Sequence, residues 1–230
     1  MKKKKYFCRI SQGLIIISLP IVLLLTILQA YALDKDFYLK EFEKYHIEEN
    51  TKIEKKELSK IVGKIIDYLK NEEGNINIHA KINEQDKEVF GNREKLHMVD
   101  VKKLFQKGYN LQKIGIFFIG MSLIVLMKKS EKIEKDIYRS LKGASILSLG
   151  SITILFILIQ INFYKYFTYF HKLLFNNDLW LLNPKTDILI QMLPLGFFND
   201  IAKKTIVWFV GIMVILGGIA CHKGKGIREK

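Results

Sequence analysis

Four long stretches without charge constrain this chain more than any other feature of its sequence. They cover 10–33, 108–127, 143–164 and 205–222, and they contain no Asp, Glu or Arg and only one Lys, Lys113. A bilayer hydrocarbon core is about 30 Å thick, and roughly 20 apolar helical residues cross it. The sequence therefore predicts an all-α integral membrane protein with four transmembrane helices, and it excludes a soluble globular chain.

The positive charge of the chain is concentrated in short segments beside these stretches. The net charge is +14, of which residues 1–9 carry +5, the 128–142 loop +3 and residues 223–230 another +3. Segments rich in Lys and Arg next to a span stay in the cytoplasm. We therefore expect both termini and 128–142 in the cytoplasm, and 34–107 and 165–204 outside the cell. Contact with anionic membrane lipid explains a basic excess at this place better than nucleic acid does, so no nucleic-acid partner is expected.

The first stretch also has features of a secretory signal peptide. Lys2–Lys5 precede an apolar run, and Ala30-Tyr31-Ala32 resembles a cleavage site. The apolar run is longer than a usual signal core, and three further spans follow it, so we expect an uncleaved anchor. Cys8 and Cys221 are both expected at the cytoplasmic membrane edge, where they form no disulfide framework.

The 34–107 segment is expected to form a small mixed α/β extracellular cap. Apolar residues at helical spacing in 54–70 predict an amphipathic helix. Alternation of polar and apolar residues in 75–82 predicts a short strand. A further helix is predicted to begin near Asn92 and to run into the second span. The 165–204 segment is predicted to be an aromatic-rich loop that forms a confined apolar pocket at the boundary between cap and membrane.

Two of the five histidines are candidates for acid–base chemistry. His97 and His171 both lie near a span, on the same expected side of the membrane. On a helix, Glu94 and Asp100 share a face with His97 and are candidates to orient its ring. The same spacing fits an ordinary surface histidine paired with either carboxylate. Asp187 is a candidate either to hydrogen-bond His171 or to cap a turn.

A metal site is an alternative use of these side chains. Glu94 and His97 match one half of the Glu-x-x-His pattern of di-iron bundles, but such sites lie inside a helical bundle. A zinc site would need one or two further ligands from Asp100, Asp187 or His171. Two alternatives of other classes therefore stay open, namely a non-catalytic membrane scaffold or partner subunit and a His/Asp metal-dependent membrane hydrolase. We expect acid–base catalysis without a metal, because a histidine can take a proton from one substrate atom while a second group donates to another.

Two segments resemble the lipoprotein intramolecular transacylase (Lit) family of Gram-positive bacteria. The first is Phe-Gly-Asn-Arg-Glu-Lys-Leu-His-Met-Val-Asp-Val-Lys at 90–102. The second begins Phe-His-Lys-Leu-Leu-Phe-Asn-Asn-Asp-Leu-Trp, covers 170–194 and is followed by Phe197-Phe198. The four-span layout with an outer cap agrees with the family, so the resemblance covers essentially the whole chain.

The resemblance implies an acyltransferase that acts on bacterial lipoproteins whose N-terminal cysteine carries a diacylglyceryl group. Members of the family move the sn-2 acyl chain to the cysteine α-amino group and produce lyso-form lipoprotein, without cofactor or metal. Two histidines carry the reaction in the family, and they match His97 and His171. Glu94 and Asp100 weakly favour His97 as the base. Six aromatic residues are expected to supply a dry lining for the pocket, namely Phe167, Tyr169, Phe170, Trp180, Phe197 and Phe198.

Overall fold

The computed structural model describes residues 2–82 and 85–226, and this part of the chain is mostly helical. Four of its helices are long and apolar enough to cross a membrane, as the sequence predicted. They are α1 (Lys2–Ala32), α5 (Asn92–Lys129), α6 (Ile133–Leu174) and α8 (Leu195–Gly226). The prediction of a mostly helical chain with four candidate membrane-spanning helices is thereby confirmed.

The chain divides into two compact units. The first unit comprises 2–28, 108–161 and 204–226 of the described residues, and the second comprises 29–107 and 162–203. Each long helix therefore contributes residues to both units, and the shorter elements all belong to the second.

Close packing of the helices in the first unit depends on glycine. A Cβ atom added at Gly115 would lie 2.5 Å from Cγ2 of Val22, and one added at Gly143 would lie 2.8 Å from Cδ1 of Ile16. Small residues let neighbouring membrane helices approach closely, so that van der Waals contact and interhelical hydrogen bonds hold them together. A larger side chain at either glycine would have to displace the side chain of Val22 or Ile16.

The second unit has its own hydrophobic core, built around α4. Its short helices are α2 (Lys35–Lys44), α3 (Ile47–Thr51), α4 (Lys55–Lys70) and α7 (Ile188–Met192). The amphipathic helix predicted for 54–70 is confirmed, because one face of α4 is buried: Leu58, Ile61, Val62, Ile65, Ile66 and Leu69. Each fully buried aliphatic side chain of this kind stabilises the fold by about 1.5–3 kcal/mol.

A small antiparallel hairpin follows α4. It consists of β1 (His79–Ile82) and β2 (Gln85–Glu88), with His79 opposite Glu88. The predicted strand at 75–82 is confirmed for its second half only. The second strand was not predicted, because all four of its residues are exposed and carry no alternating pattern.

The prediction that 165–204 forms a loop is wrong at both ends of the segment. Helix α6 continues to Leu174, and α8 already begins at Leu195. Asn162 interrupts α6 with extended backbone (φ −161°, ψ 87°), and its Oδ1 accepts the backbone N–H of Lys165 at 2.9 Å. This side-chain cap starts a new helical segment directly after the interruption. As a result, His171 is carried by a helix and not by a loop.

Candidate active site

Helix α5 places His97 in its second turn, where the ring is buried. The helix begins at Asn92, in agreement with the sequence prediction, and Oε2 of Glu94 accepts the backbone N–H of Gly91 at 2.6 Å. A carboxylate in the first turn of a helix that bonds back to the preceding N–H fixes the helix start. His97 follows one turn later and is only 8% exposed.

The end of α6 places His171 in the same unit. Nδ1 of His171 lies 2.7 Å from the carbonyl oxygen of Phe167, four residues earlier in the helix. A carbonyl can only accept a hydrogen bond, so Nδ1 carries the hydrogen. In the neutral ring, Nε2 therefore carries the lone pair, which makes it the atom that can accept a proton from a substrate.

The structure brings these two histidines together from distant parts of the sequence. The centroids of the imidazole rings are 6.2 Å apart, and the ring planes are inclined by 34°. His171 is 9% exposed, so both rings are almost entirely removed from water. At this separation, atoms of one substrate group can contact both rings.

Aromatic side chains surround the pair. Phe175 packs against both rings, with centroid distances of 5.4 Å to His97 and 5.6 Å to His171. Three further rings contact His171: Phe167 at 4.4 Å, Trp180 at 5.0 Å and Phe170 at 5.5 Å. Packing of this kind excludes water from the imidazoles and fixes their orientation.

Burial keeps both imidazoles neutral at physiological pH. The pKa of His97 is lowered to about 4, mainly by burial and also by the nearby His171, while the carboxylate of Asp100 opposes the shift. Burial also lowers the pKa of His171, against the effect of its hydrogen bond to the Phe167 carbonyl. Neutral imidazoles can accept protons, so the pair is prepared for general base chemistry.

His97 also has an unused hydrogen-bonding group. Its Nδ1 is buried and has no hydrogen-bond partner in the described part of the chain. A buried polar atom without a partner costs about 1–3 kcal/mol, and native proteins rarely keep one without a reason. A bound substrate group that hydrogen-bonds this nitrogen would recover that free energy.

Glu94, a candidate to orient the ring of His97, bonds to other groups instead. Its Oε1 accepts the backbone N–H of Leu189 at 2.6 Å, while Oε2 accepts that of Gly91. The carboxylate therefore joins the start of α5 to the start of α7, and both of its oxygens bond to backbone rather than to His97. Burial raises its pKa, against the effect of these backbone hydrogen bonds.

The other two carboxylates differ in their relation to the pair. Asp100 interacts electrostatically with His97, but its oxygens bond elsewhere, Oδ2 to the side chain of Asn177 at 2.9 Å and Oδ1 to Lys103 at 3.3 Å. Asp187 caps a turn, which was one of its two expected roles: its Oδ2 accepts the backbone N–H of Asn183 at 2.8 Å.

The predicted aromatic lining is only partly at the histidines. Phe167, Phe170 and Trp180 contact His171, as described above. Phe198 packs on Phe167, with ring centroids 5.0 Å apart, and so forms a second layer behind that ring. Phe197 is a core residue, 1% exposed and packed on Phe37 and Tyr38. Tyr169 is 51% exposed and contacts Tyr166, away from the pair.

Three residues near the pair were not predicted: Phe175, Asn177 and Arg93. Phe175 follows His171 by four residues, so helical spacing would have indicated it if α6 had been predicted to extend this far. Asn177 and Arg93 act through hydrogen bonds between distant segments, for which the sequence offers no local signal.

A metal site is not assembled in the part of the chain that the structure describes. Across residues 2–82 and 85–226, no three His, Cys, Asp or Glu side chains are grouped so that they could hold a metal ion. The ligands considered for zinc are separated accordingly, with Asp187 in its turn and Asp100 bound to Asn177 and Lys103.

Comparisons with known proteins identify relatives of this chain. The model of the family described as "Lipoprotein intramolecular transacylase Lit" matches residues 13–198. The solved structure of the membrane-integral lipoprotein intramolecular transacylase Lit from Bacillus cereus is similar, with a TM-score of 0.80 and 24% sequence identity over 98% of this chain and 100% of that chain. A search of curated proteins found no match.

Two variants of the same Bacillus cereus protein, each with a histidine mutation, are similar as well. The histidine-to-arginine form has a TM-score of 0.74 and covers 99% of this chain and 96% of that chain. The histidine-to-alanine form has a TM-score of 0.75 and covers 100% and 99%, and both are 24% identical to this chain. At this level of identity, the structural matches establish a shared fold.

Proposed function

The chain belongs to the lipoprotein intramolecular transacylase (Lit) family, and from this premise we propose that it moves the sn-2 acyl chain of a diacylglyceryl lipoprotein to the α-amino group of its N-terminal cysteine. It is a membrane acyltransferase, and lyso-form lipoprotein is the proposed product. The observation that carries the chemical part of the proposal is the buried pair of His97 and His171, which have rings 6.2 Å apart within an aromatic enclosure.

His171 is proposed to be the base. The preference for His97 rested on Glu94 and Asp100, and neither carboxylate bonds to its ring. His171, by contrast, is held by its Nδ1–H, so that Nε2 is available to take a proton from the substrate amine. The neutral amine nitrogen attacks the carbonyl carbon of the sn-2 ester, and His171 takes the proton from this nitrogen as the C–N bond forms. The hydrogen bond to the Phe167 carbonyl supports the imidazolium that forms.

His97 is proposed to stabilise the oxyanion of the tetrahedral intermediate. Its Nδ1 has no partner within the protein, so in the tautomer with hydrogen on this nitrogen it can donate to the developing charge. The intermediate collapses when the C–O ester bond breaks, and the glyceryl oxygen takes the proton from the imidazolium of His171. One C–N bond replaces one C–O bond, and the proton passes from nitrogen to oxygen, so the reaction needs no cofactor.

Positioning is expected to supply much of the rate acceleration. Both reacting groups belong to one substrate molecule, and well-oriented intramolecular reactions gain up to roughly 7–11 kcal/mol from positioning alone. The aromatic enclosure of Phe167, Phe175 and Trp180 supports this role, because it keeps water from competing with the amine for the ester.

The experiment that tests the function is expression of the chain in a strain that makes diacylglyceryl lipoproteins and has no such transacylase. The transfer is an isomerisation, so the mass of the N-terminal lipopeptide does not change. Fragmentation in the mass spectrometer must therefore locate the acyl group on nitrogen. A lipopeptide with different acyl chains at sn-1 and sn-2 identifies the chain that moves, and an unmodified amine after expression would refute the function.

The pH dependence of the reaction follows from the lowered histidine pKa values. The pKa of His97 is about 4 and burial lowers that of His171 below its ordinary value, so both rings are neutral at physiological pH, whereas an α-amino group has a pKa of about 8. We expect the initial rate of N-acylation to rise between about pH 6 and about pH 8, with no inflection at the ordinary histidine value of 6.5. Rates measured on purified enzyme with a short lipopeptide test this. An inflection near 6.5 would mean that one of the two rings is hydrated and titrates normally.

The active site is proposed to face the outside of the cell, with both termini in the cytoplasm. The support is the excess of Lys and Arg in residues 1–9, 128–142 and 223–230. In a Cys8→Ala, Cys221→Ser background, Lys172→Cys should react with a membrane-impermeant maleimide in intact cells, and Glu131→Cys should react only after lysis. The opposite labelling pattern would invert the proposed topology.

A further inference from the structure

Two hydrogen bonds tie the segment after α6 to helix α5, on both sides of His97. Asp100 lies three residues after His97, and its Oδ2 accepts a hydrogen bond from Nδ2 of Asn177 at 2.9 Å. The guanidinium of Arg93, one turn before His97, donates to the backbone carbonyl of Asp178. Two consecutive residues of an irregular segment are thus held by two residues of one helix.

Asn177 is suited to this position because it uses both halves of its amide. While Nδ2 donates to Asp100, Oδ1 accepts the backbone N–H of Leu179 at 3.0 Å and forms a local turn. The side chain therefore shapes the segment and fastens it to α5 at the same time.

The tied segment carries the aromatic rings that close over the histidines. Phe175 lies two residues before Asn177 and contacts both imidazoles, and Trp180 lies three residues after it and stacks on His171. Asn177 itself is exposed, and its side-chain hydrogen bonds go to Asp100 and Leu179, so its influence on the reaction has to pass through these neighbours.

We propose that Asn177, fastened to Asp100, is a positioning residue that holds Phe175 and Trp180 over the histidine pair and thereby determines whether the ester is attacked by the amine or by water. This inference rests on the proposed two-histidine chemistry. When the segment is released, water reaches the base and adds to the sn-2 carbonyl carbon. The C–O ester bond then breaks, the acyl chain leaves as a free fatty acid, and the glyceryl oxygen takes a proton.

The ratio of hydrolysis to transfer is the readout that separates positioning from general stability. Hydrolysis produces a lipopeptide that has lost one acyl chain and keeps a free amine, so its mass differs from that of the isomeric transfer product. Partial unfolding of the enzyme would lower both products together and leave their ratio unchanged.

The test uses Asn177→Ser and Asn177→Asp in the full-length enzyme. Serine and aspartate can both still accept the Leu179 N–H, but serine is too short to reach Asp100, and aspartate repels it. We expect the turnover number for transfer to fall at least about tenfold while KM changes little, and the share of hydrolysis product to rise severalfold. Asn75→Asp is the matched control, because Asn75 forms a similar turn with the N–H of Asn77 at 3.2 Å outside the pocket.

A reciprocal exchange completes the test. In the double variant Asp100→Asn, Asn177→Asp, the amide at 100 can donate to the carboxylate at 177, which can still accept the Leu179 N–H. Recovery of the ratio to within about threefold of the parent is expected. The proposal is overturned if the single variants keep the parental ratio, or if the exchange recovers nothing. Both of those results leave the proposed function intact, whereas activity that persists without His97 and His171 would contradict the two-histidine chemistry on which this inference rests.

Discussion

Alanine at either His97 or His171 is expected to abolish the formation of lyso-form lipoprotein while the protein remains in the membrane. General acid–base groups typically contribute between about a hundredfold and ten-thousandfold to a rate, so the residual activity of each variant should fall below detection in cells. The measurement is fragmentation of the lipoprotein N-terminal peptide, together with quantification of the enzyme in the membrane fraction.

The residual transfer activities of the two variants are expected to respond differently to pH. His171→Ala removes the proposed base, so transfer should recover in part at high pH, where hydroxide can take the proton from the attacking nitrogen instead. His97→Ala removes the proposed oxyanion donor, which a higher pH does not replace. Equal recovery of both variants would refute this division of roles without refuting the two-histidine site.

His79→Ala is the control for the loss of an imidazole as such. His79 is exposed on β1 of the hairpin, and its removal is expected to leave transfer unchanged. Undiminished product from either His97→Ala or His171→Ala would exclude the proposed mechanism and place catalysis at another site of this chain.

The sequence predicted the parts of the structure that depend on hydrophobic pattern. The four spans, the buried face of α4 and the continuous helix from Asn92 all follow from the spacing of apolar residues, which is a local property. The importance of His97 and His171 was indicated by their position next to the spans. The distance of 6.2 Å between their ring centroids could not be predicted from the sequence, because it depends on how distant segments pack.

The failures in prediction have physical causes that can be traced to single residues. The predicted third span ends at residue 164 with its charge-free stretch, whereas Asn162 interrupts α6 and at once caps its continuation, so that the helix runs on past this charge-free stretch. The exposed strand Gln85–Glu88 has no apolar pattern because no side of it packs on the core. Carboxylates were assigned to the nearest histidine by helical spacing, but Glu94 finds closer partners in backbone N–H groups of another segment.

Glu94→Ala is expected to destabilise the second unit strongly. The carboxylate is 3% exposed and accepts two backbone N–H groups, those of Gly91 and Leu189, at 2.6 Å each. Without it, the buried N–H of Leu189 and the partly buried N–H of Gly91 lose their acceptor, and an unsatisfied buried donor costs about 1–3 kcal/mol. The midpoint of thermal unfolding should fall by roughly 5–10 °C, measured by scanning fluorimetry of the detergent-solubilised enzyme.

Glu94→Gln distinguishes this structural role from a chemical one. The amide oxygen can replace one acceptor, but the amide NH2 group then faces the other backbone N–H, so an intermediate loss of stability is expected. Glu88→Ala is the control, because Glu88 forms an exposed ion pair with Lys95, and such pairs contribute at most about 1 kcal/mol. If Glu94 instead polarised His97, both substitutions at 94 would lower the turnover number and leave the unfolding midpoint unchanged. The hydrogen bonds from the N–H groups of Gly91 and Leu189 predict the opposite order. Stability is lost first, and activity declines because the start of α5, and His97 with it, is no longer held in place.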